Sequence, residues 1–219
     1  SCDPDKASFL AALMLTKTGG NPFFMTEFFK LLYAEGLLTF DFRIPGWTWD
    51  PEHIQTRGIT GNVAELMTRK IQKFSVQIQR ILYLGACIGN PFDIKILSAI
   101  CEKSPNETEK LLQRAAAKGL ISADQGEAGY SFSHDRIREA AYFLESENER
   151  EMTHQRIGQF MLRHFSDEEK ERKVFDIVSQ MNQGTAFLRS QSDRDELAGL
   201  NLIAGKKAKA SAAYEPALD

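Results

Sequence analysis

Between Ser75 and Ser133 the spacing of apolar residues changes period once, and that change limits what the chain can fold into. Ile78, Ile81, Leu82 and Gly85 share a helical face that ends at Gly89-Asn90-Pro91. Leu97, Ile100 and Cys101 share a second face. Leu111, Leu112 and Ala115 share a third, opened by Ser104 with Pro105 behind it and Glu107 at the capping-box position. Gly119 stops that helix, and Leu120-Ile121-Ser122-Ala123 begins a strand. After a turn over residues 124–129, Tyr130-Ser131-Phe132-Ser133 alternates. Three helices followed by a two-stranded hairpin is the order of a winged helix.

The flanks are helical as well. Phe9, Leu10, Leu13 and Met14 make one stripe, stopped by Gly19-Gly20. Asn21 is placed to cap the next helix, with Pro22 at its first position, where a missing N–H costs nothing. That helix carries Phe24, Phe28, Leu31 and Leu32, and Gly36 closes it. Leu38, Phe40 and Phe42 then alternate, and Trp47 and Trp49 flank Thr48, so the stretch around Ile44-Pro45-Gly46 reads as a short aromatic hairpin. Helical spacing returns after Thr60 with Val63, Leu66, Met67 and Ile71. From His134 onward the chain is helical, and between Glu145 and Lys173 it is strongly charged. Its end, Ala208 to Leu218, has the small–aromatic–small pattern of a tetratricopeptide-like helical hairpin, and an Ala-rich amphipathic helix explains it equally well.

The expected fold is therefore mostly α in three parts. A lid-like helical segment with a β-hairpin covers residues 1–58, a winged helix 59–144, and a helical arm that starts tetratricopeptide-like repeats 145–219. With Lys plus Arg at 27 and Asp plus Glu at 30, the net charge of -3 gives no electrostatic reason to bind nucleic acid or an anionic membrane. No apolar run is long enough for a membrane helix. Cys2, Cys87 and Cys101 are odd in number and lack CxxC spacing, which favours a reducing compartment over a disulfide framework. Cys87 and Cys101 fall on apolar stripes and read as core residues. The chain does not begin with Met and ends inside a helical pattern, so it reads as an internal piece of a larger cytoplasmic protein.

Catalytic chemistry is missing. The nearest approach to a phosphate-binding loop, Gly199 to Gly205-Lys206-Lys207, has the wrong spacing and Lys where a hydroxyl belongs. His53, His134, His154 and His164 have no metal-ligand spacing, and no metal site is expected. His154 and His164 lie in the charged zone and are expected at the surface. Asn106-Glu107-Thr108 is a formal glycosylation sequon, set in a helix start of a cytoplasmic-looking chain.

Two motifs carry more. Gly19-Gly20-Asn21-Pro22-Phe23-Phe24 opens a helix, and Phe132-Ser133-His134-Asp135 joins a strand to a helix. Each is also ordinary helix punctuation: Asn21 is a good cap, and His134 or Asp135 can cap the helix that starts there. In this order and spacing they resemble the C-terminal part of the STAND signalling ATPases, AAA-related switch proteins. The resemblance covers nearly the whole chain and is nearest to large bacterial, cyanobacterial-type Ser/Thr kinases and sensor histidine kinases. It identifies Gly20-Asn21-Pro22 with the family's GxP lid motif. It implies that Pro22 packs on the adenine of a bound nucleotide, beside Asn21, and that His134 reaches the phosphates in the ADP state.

The family's nucleotide-binding core is absent from this sequence, and Ser133 stands where immune-receptor members have Met. No cofactor is therefore expected on these residues alone. ATP or ADP with magnesium belongs to the parent chain, whose upstream core and other domains are the implied partners, with protein partners on the arm. Two alternatives compete. A DNA-binding regulator would need a basic third helix, yet Glu107, Glu109, Lys110, Arg114 and Lys118 nearly balance. A nucleotide-independent interaction scaffold would suit the charged helices and repeat-like end.

Overall fold

The computed structural model describes residues 4–43, 45–56, 63–124 and 129–212. They form a mostly helical protein with two small antiparallel sheets, arranged in two compact units, Ser1–Lys70 and Ile71–Asp219.

In the first unit α1 (Pro4–Thr18) ends at Gly19 and Gly20, both at positive φ (60° and 76°) that an L side chain resists. α2 (Pro22–Ala34) closes in a Schellman motif: the Gly36 N–H bonds the Tyr33 carbonyl and the Leu37 N–H reaches back to Leu32. Leu32 and Leu37 also meet in the core, with Leu10, Met14, Phe28, Leu38 and Ile54. β1 (Leu38–Asp41) pairs with β2 (Gly46–Trp49) so that Leu38 faces Trp49 and Phe40 faces Trp47. On the opposite face the Thr39 and Thr48 hydroxyls lie 2.9 Å apart. Ile44, at the turn between the strands, lies outside the described residues.

A short α3 (Pro51–Thr56), not anticipated from the apolar spacing, brings Ile54 into that core. In α4 (Val63–Gln72) Met67 and Ile71 are buried, as the spacing predicts, while the side chains of Val63 and Leu66 lie outside the described set. Glu27 is only 8% exposed and is held between Lys70, at 2.6 Å, and Lys30, at 2.9 Å. Burial pushes its carboxyl up, but the two ammonium groups outweigh that and leave it below the ordinary value.

The second unit opens with α5 (Val76–Ile88), β3 (Phe92–Asp93), α6 (Ile94–Ile100) and α7 (Pro105–Ala116). β4 (Ile121–Ala123) and β5 (Gly129–Phe132) come next. The expected three helices and hairpin are in place, with β3 as an added third strand in the order β3-β5-β4. Residues 125–128 of the expected turn lie outside the described set. The Ser104–Glu107 capping box forms as the sequence predicts. Phe92 lies against Gly85 on α5, where a Cβ would come within 3.2 Å of its ring. Cys87 is buried, as expected, but Cys101 is only half-buried. Cys101 ends α6 rather than filling a core position, and its thiol donates to the Ser98 carbonyl at 3.5 Å.

Beyond Phe132 every regular element among the described residues is helical: α8 (Asp135–Tyr142), α9 (Glu147–His164), α10 (Asp167–Arg172), α11 (Val174–Gln183), a 3-10 turn (Thr185–Phe187) and α12 (Gln191–Ala212). The repeat-like ending at residues 213–219 lies outside the described set. α9 and α11 touch backbone to backbone. A Cβ at Gly184 would sit 2.7 Å from the Gln155 nitrogen, and one at Gly158 would sit 2.6 Å from Met181 Sδ. α12 lies on α11 through Val174, Val178, Leu200 and Ala204, and Asn182 and Asn201 exchange two amide hydrogen bonds of 3.1 Å.

These contacts predict opposite effects for two glycine substitutions. Gly184→Ala should destabilise the protein by about 1–3 kcal/mol, because a methyl group has nowhere to go between two backbones. Gly199→Ala, on the open face of α12 with nothing within 4 Å, should stabilise it by up to about 1 kcal/mol. Denaturant unfolding measures both, and equal midpoints for the two variants would refute the close approach of α9 and α11.

Candidate functional site

The two sequence motifs both stand at helix starts. Asn21, extended at φ -71° and ψ 121°, accepts hydrogen bonds at Oδ1 from the N–H groups of Phe23 (3.0 Å) and Phe24 (3.3 Å). Pro22 occupies the first helical position, and its ring is exposed. The local geometry is thus what Gly20-Asn21-Pro22 predicts, with an apolar ring presented at the positive end of a helix. Asn21 and Pro22 belong to the first unit and His134 to the second.

His134 follows β5 after one residue, Ser133. The Ser133 N–H still bonds the Leu120 carbonyl at 3.1 Å, continuing the ladder one residue past the strand. His134 is then extended (φ -159°, ψ 144°), and its Nδ1 accepts the Arg136 N–H at 3.2 Å. The cap reading of Phe132-Ser133-His134-Asp135 therefore holds at His134, and Asp135 adds its charge to the first turn. Because Nδ1 is an acceptor, the neutral ring carries its proton on Nε2, which makes that atom a hydrogen-bond donor.

Beside this junction a cleft of about 590 Å³ opens between the end of α5 and α8, α9 and α11. Asp135, Arg138, Tyr142 and Gln183 line it, with His154 and Gln180 in its wall. His154 corrects the sequence reading: it is 3% exposed, not at the surface. Its Nδ1 lies 2.7 Å from Gln180 Oε1 and its Nε2 2.9 Å from the Tyr142 hydroxyl. The Gln180 Nε2 donates to the carbonyls of Cys87 (2.9 Å) and Ile88 (3.2 Å), so its Oε1 is an acceptor and His154 Nδ1 must carry the proton. Tyr142 then donates to Nε2. His164 is exposed as expected, with Nδ1 3.0 Å from the Phe160 carbonyl.

The electrostatics keep this cluster uncharged. Burial lowers the proton affinity of His154, and Arg150 adds to that against the opposing bond from Gln180. Burial pushes the Cys87 thiol up to about 12 and raises the Tyr142 phenol as well. The polar atoms of the cluster face one another, which suits it to fastening four helices rather than to turning over a substrate. Among the described residues no group of three or more His, Cys, Asp or Glu could hold a metal ion, and no helix is long and apolar enough to cross a membrane.

A neutral buried histidine makes stability depend on pH. Unfolded, His154 titrates near 6.5; folded, it does so lower. Above 6.5 both states are neutral and the residue contributes no slope. Below 6.5 the unfolded chain takes up a proton that the folded chain refuses, so stability falls as pH drops toward the folded value. His154→Phe should lower stability at pH 7.5 by about 1–3 kcal/mol, by stranding the Tyr142 and Gln180 groups, and should remove that pH slope. Unfolding midpoints at pH 7.5 and 5.5 provide the check; an unchanged slope in the variant would place the titrating group elsewhere.

No family model matches the chain, and no solved structure matches it. It is similar to hybrid signal transduction histidine kinase G of Dictyostelium discoideum, at 28% identity over 262 aligned residues. The alignment takes in 96% of this chain and 8% of the relative, so the chain spans a small part of the length of the curated protein it matches.

Proposed function

We propose that this chain is a regulatory segment of a multidomain signal-transduction protein of the histidine-kinase kind. The observation that carries this reading is the similarity to a histidine kinase along 96% of the chain. Within it, the segment acts as a nucleotide-state switch and interdomain relay of a STAND-type ATPase module, with ATP or ADP and magnesium bound mainly by a core outside these residues. Three local features support the switch. Pro22 presents an exposed ring at the start of α2, Asn21 fixes that start, and His134 stands at the junction of strand and helix with its Nδ1 in the cap bond. An apolar ring suits a base, and an imidazole N–H suits a phosphate oxygen. The partners are then the core and the output domains of the same chain, with the helices from α9 to α12 as the relay.

A switch needs a contact present in one state and absent in the other. One hydrogen bond to a charged group is worth about 1.5–3 kcal/mol, so its loss should shift the balance by one to two orders of magnitude. In the full-length protein, His134→Ala should speed ADP release by at least about tenfold and raise basal output. His134→Ser separates the two roles of the residue, since serine keeps the helix cap but cannot reach a phosphate. If His134→Ser releases ADP at the wild-type rate, the motif is a cap and the switch reading fails. Pro22→Ala should weaken nucleotide binding through lost packing on the base. The 219-residue chain alone should not turn over ATP with magnesium, having no phosphate-binding loop.

A further inference from the structure

The Tyr142 hydroxyl stands between two acceptors with one proton to give. Its oxygen lies 2.9 Å from His154 Nε2 and 3.4 Å from Gln183 Oε1. Each amide in the row is oriented by bonds of its own. Gln183 Nε2 donates to the Ser179 carbonyl and hydroxyl, both at 3.3 Å, which leaves its Oε1 toward Tyr142. Gln180 Nε2 donates to the Cys87 and Ile88 carbonyls, which leaves its Oε1 on the Nδ1–H of His154. With His154 neutral, the phenol proton serves the nearer acceptor, Nε2, and the Gln183 oxygen goes without it. A second proton on the ring completes the row. Nε2–H then donates to the Tyr142 oxygen, the phenol O–H turns to Gln183, and each of the three acceptors meets a donor.

We propose that this row is an acid-sensitive switch: when His154 takes up a proton, the Tyr142 hydroxyl reverses and fastens α8 to the end of α11 through Gln183. At 3.4 Å the Tyr142–Gln183 contact exceeds the usual O–H···O length of about 2.7–2.8 Å, so making the bond draws the two helices together. Both residues line the cleft, and that end of it narrows. His154 is in the same wall, which gives solvent protons a path to the ring. The surrounding charges set where the change occurs. On its own helix Arg150 opposes the imidazolium and also lies over the Tyr142 ring, at 5.2 Å. α8 contributes Arg138 against Asp135 and Glu139, and α11 contributes Asp176. Cys87, on α5, stays a neutral thiol. Burial, with Arg150 added, outweighs the bond from Gln180 and holds the protonation below the ordinary histidine value of 6.5, so the row is in its neutral form at pH 7.5. This device does not depend on the nucleotide reading.

The test follows His154 in the whole 219-residue chain by nitrogen NMR of the imidazole, with circular dichroism as the check that the chain stays folded. At pH 7.5 the ring should be the neutral Nδ1–H tautomer, and on acidification it should gain a proton at Nε2 before the helices melt. The side-chain amide of Gln183 should shift with the same midpoint. Gln183→Leu removes the outer acceptor, on an exposed residue, and should lower the proton affinity of His154 about three- to tenfold, the worth of one hydrogen bond. Gln183→Glu supplies a charged acceptor and should raise that affinity above the natural value. Tyr142→Phe leaves the charged ring without its acceptor, so the Gln183 amide should no longer respond to the titration. An unchanged proton affinity in Gln183→Leu would overturn the proposal. So would a Gln183 amide that ignores the His154 titration, the opposite tautomer at pH 7.5, or unfolding before the ring is protonated.

Discussion

The side-chain amide of Gln180 holds the second unit at its centre. On one side its nitrogen donates to two carbonyls at the end of α5, where a helix leaves its last carbonyls without intrahelical donors. On the other its oxygen accepts a hydrogen bond from His154 Nδ1–H on α9, and His154 Nε2 in turn accepts one from the Tyr142 hydroxyl on α8. One residue of α11 thus fixes an amide orientation, a histidine tautomer and a tyrosine rotor in sequence. A second link runs alongside: the Tyr83 hydroxyl of α5 lies 2.9 Å from Thr153 Oγ1 and 3.1 Å from the Glu149 carbonyl, both on α9. Polar groups buried this deeply favour a single arrangement, because any shift of one helix leaves several of them unpaired.

Most of the architecture was legible because its boundaries are chemical. Asn21, the Ser104–Glu107 box, Gly36 and Gly119 stop or start helices through local hydrogen bonds and positive φ, which need no tertiary context. What escaped was either too short or held by distant partners. β3 is two residues long and exists only because Phe92 and Asp93 pair with Tyr130 and Gly129. α3 is six residues, and among its described side chains Ile54 alone enters the core. Burial of His154 escaped for a different reason. Its neighbours Arg150, Glu151 and Arg156 mask a buried stripe of Thr153, His154, Ile157, Gly158 and Met161 that is polar at its first two positions. The partners that make this burial tolerable lie on α8 and α11, and nothing in the local spacing announces them.

At the candidate site the same division holds. The caps of Asn21 and His134 could be read directly, since each involves residues two or three positions away. Any nucleotide role reaches beyond these residues and rests on resemblance and similarity. The cleft beside α8 was invisible from spacing, because four separate helices supply its walls.

The glycines at the α9–α11 crossing have a mechanical consequence. Side chains between two helices act as a compliant layer that can repack when one helix is pushed. At Gly184 that layer is missing, where a Cβ would meet the Gln155 main chain within 2.8 Å, whereas at Gly158 the Met181 side chain fills the gap. A displacement delivered to the Gly184 end of α11 therefore finds no compliant layer there. It passes to α9 as a rigid-body movement, and through Gln180 to the end of α5. In engineering terms the joint is stiff in compression and yields only as a whole, so the helices beyond α8 move as a lever rather than a spring.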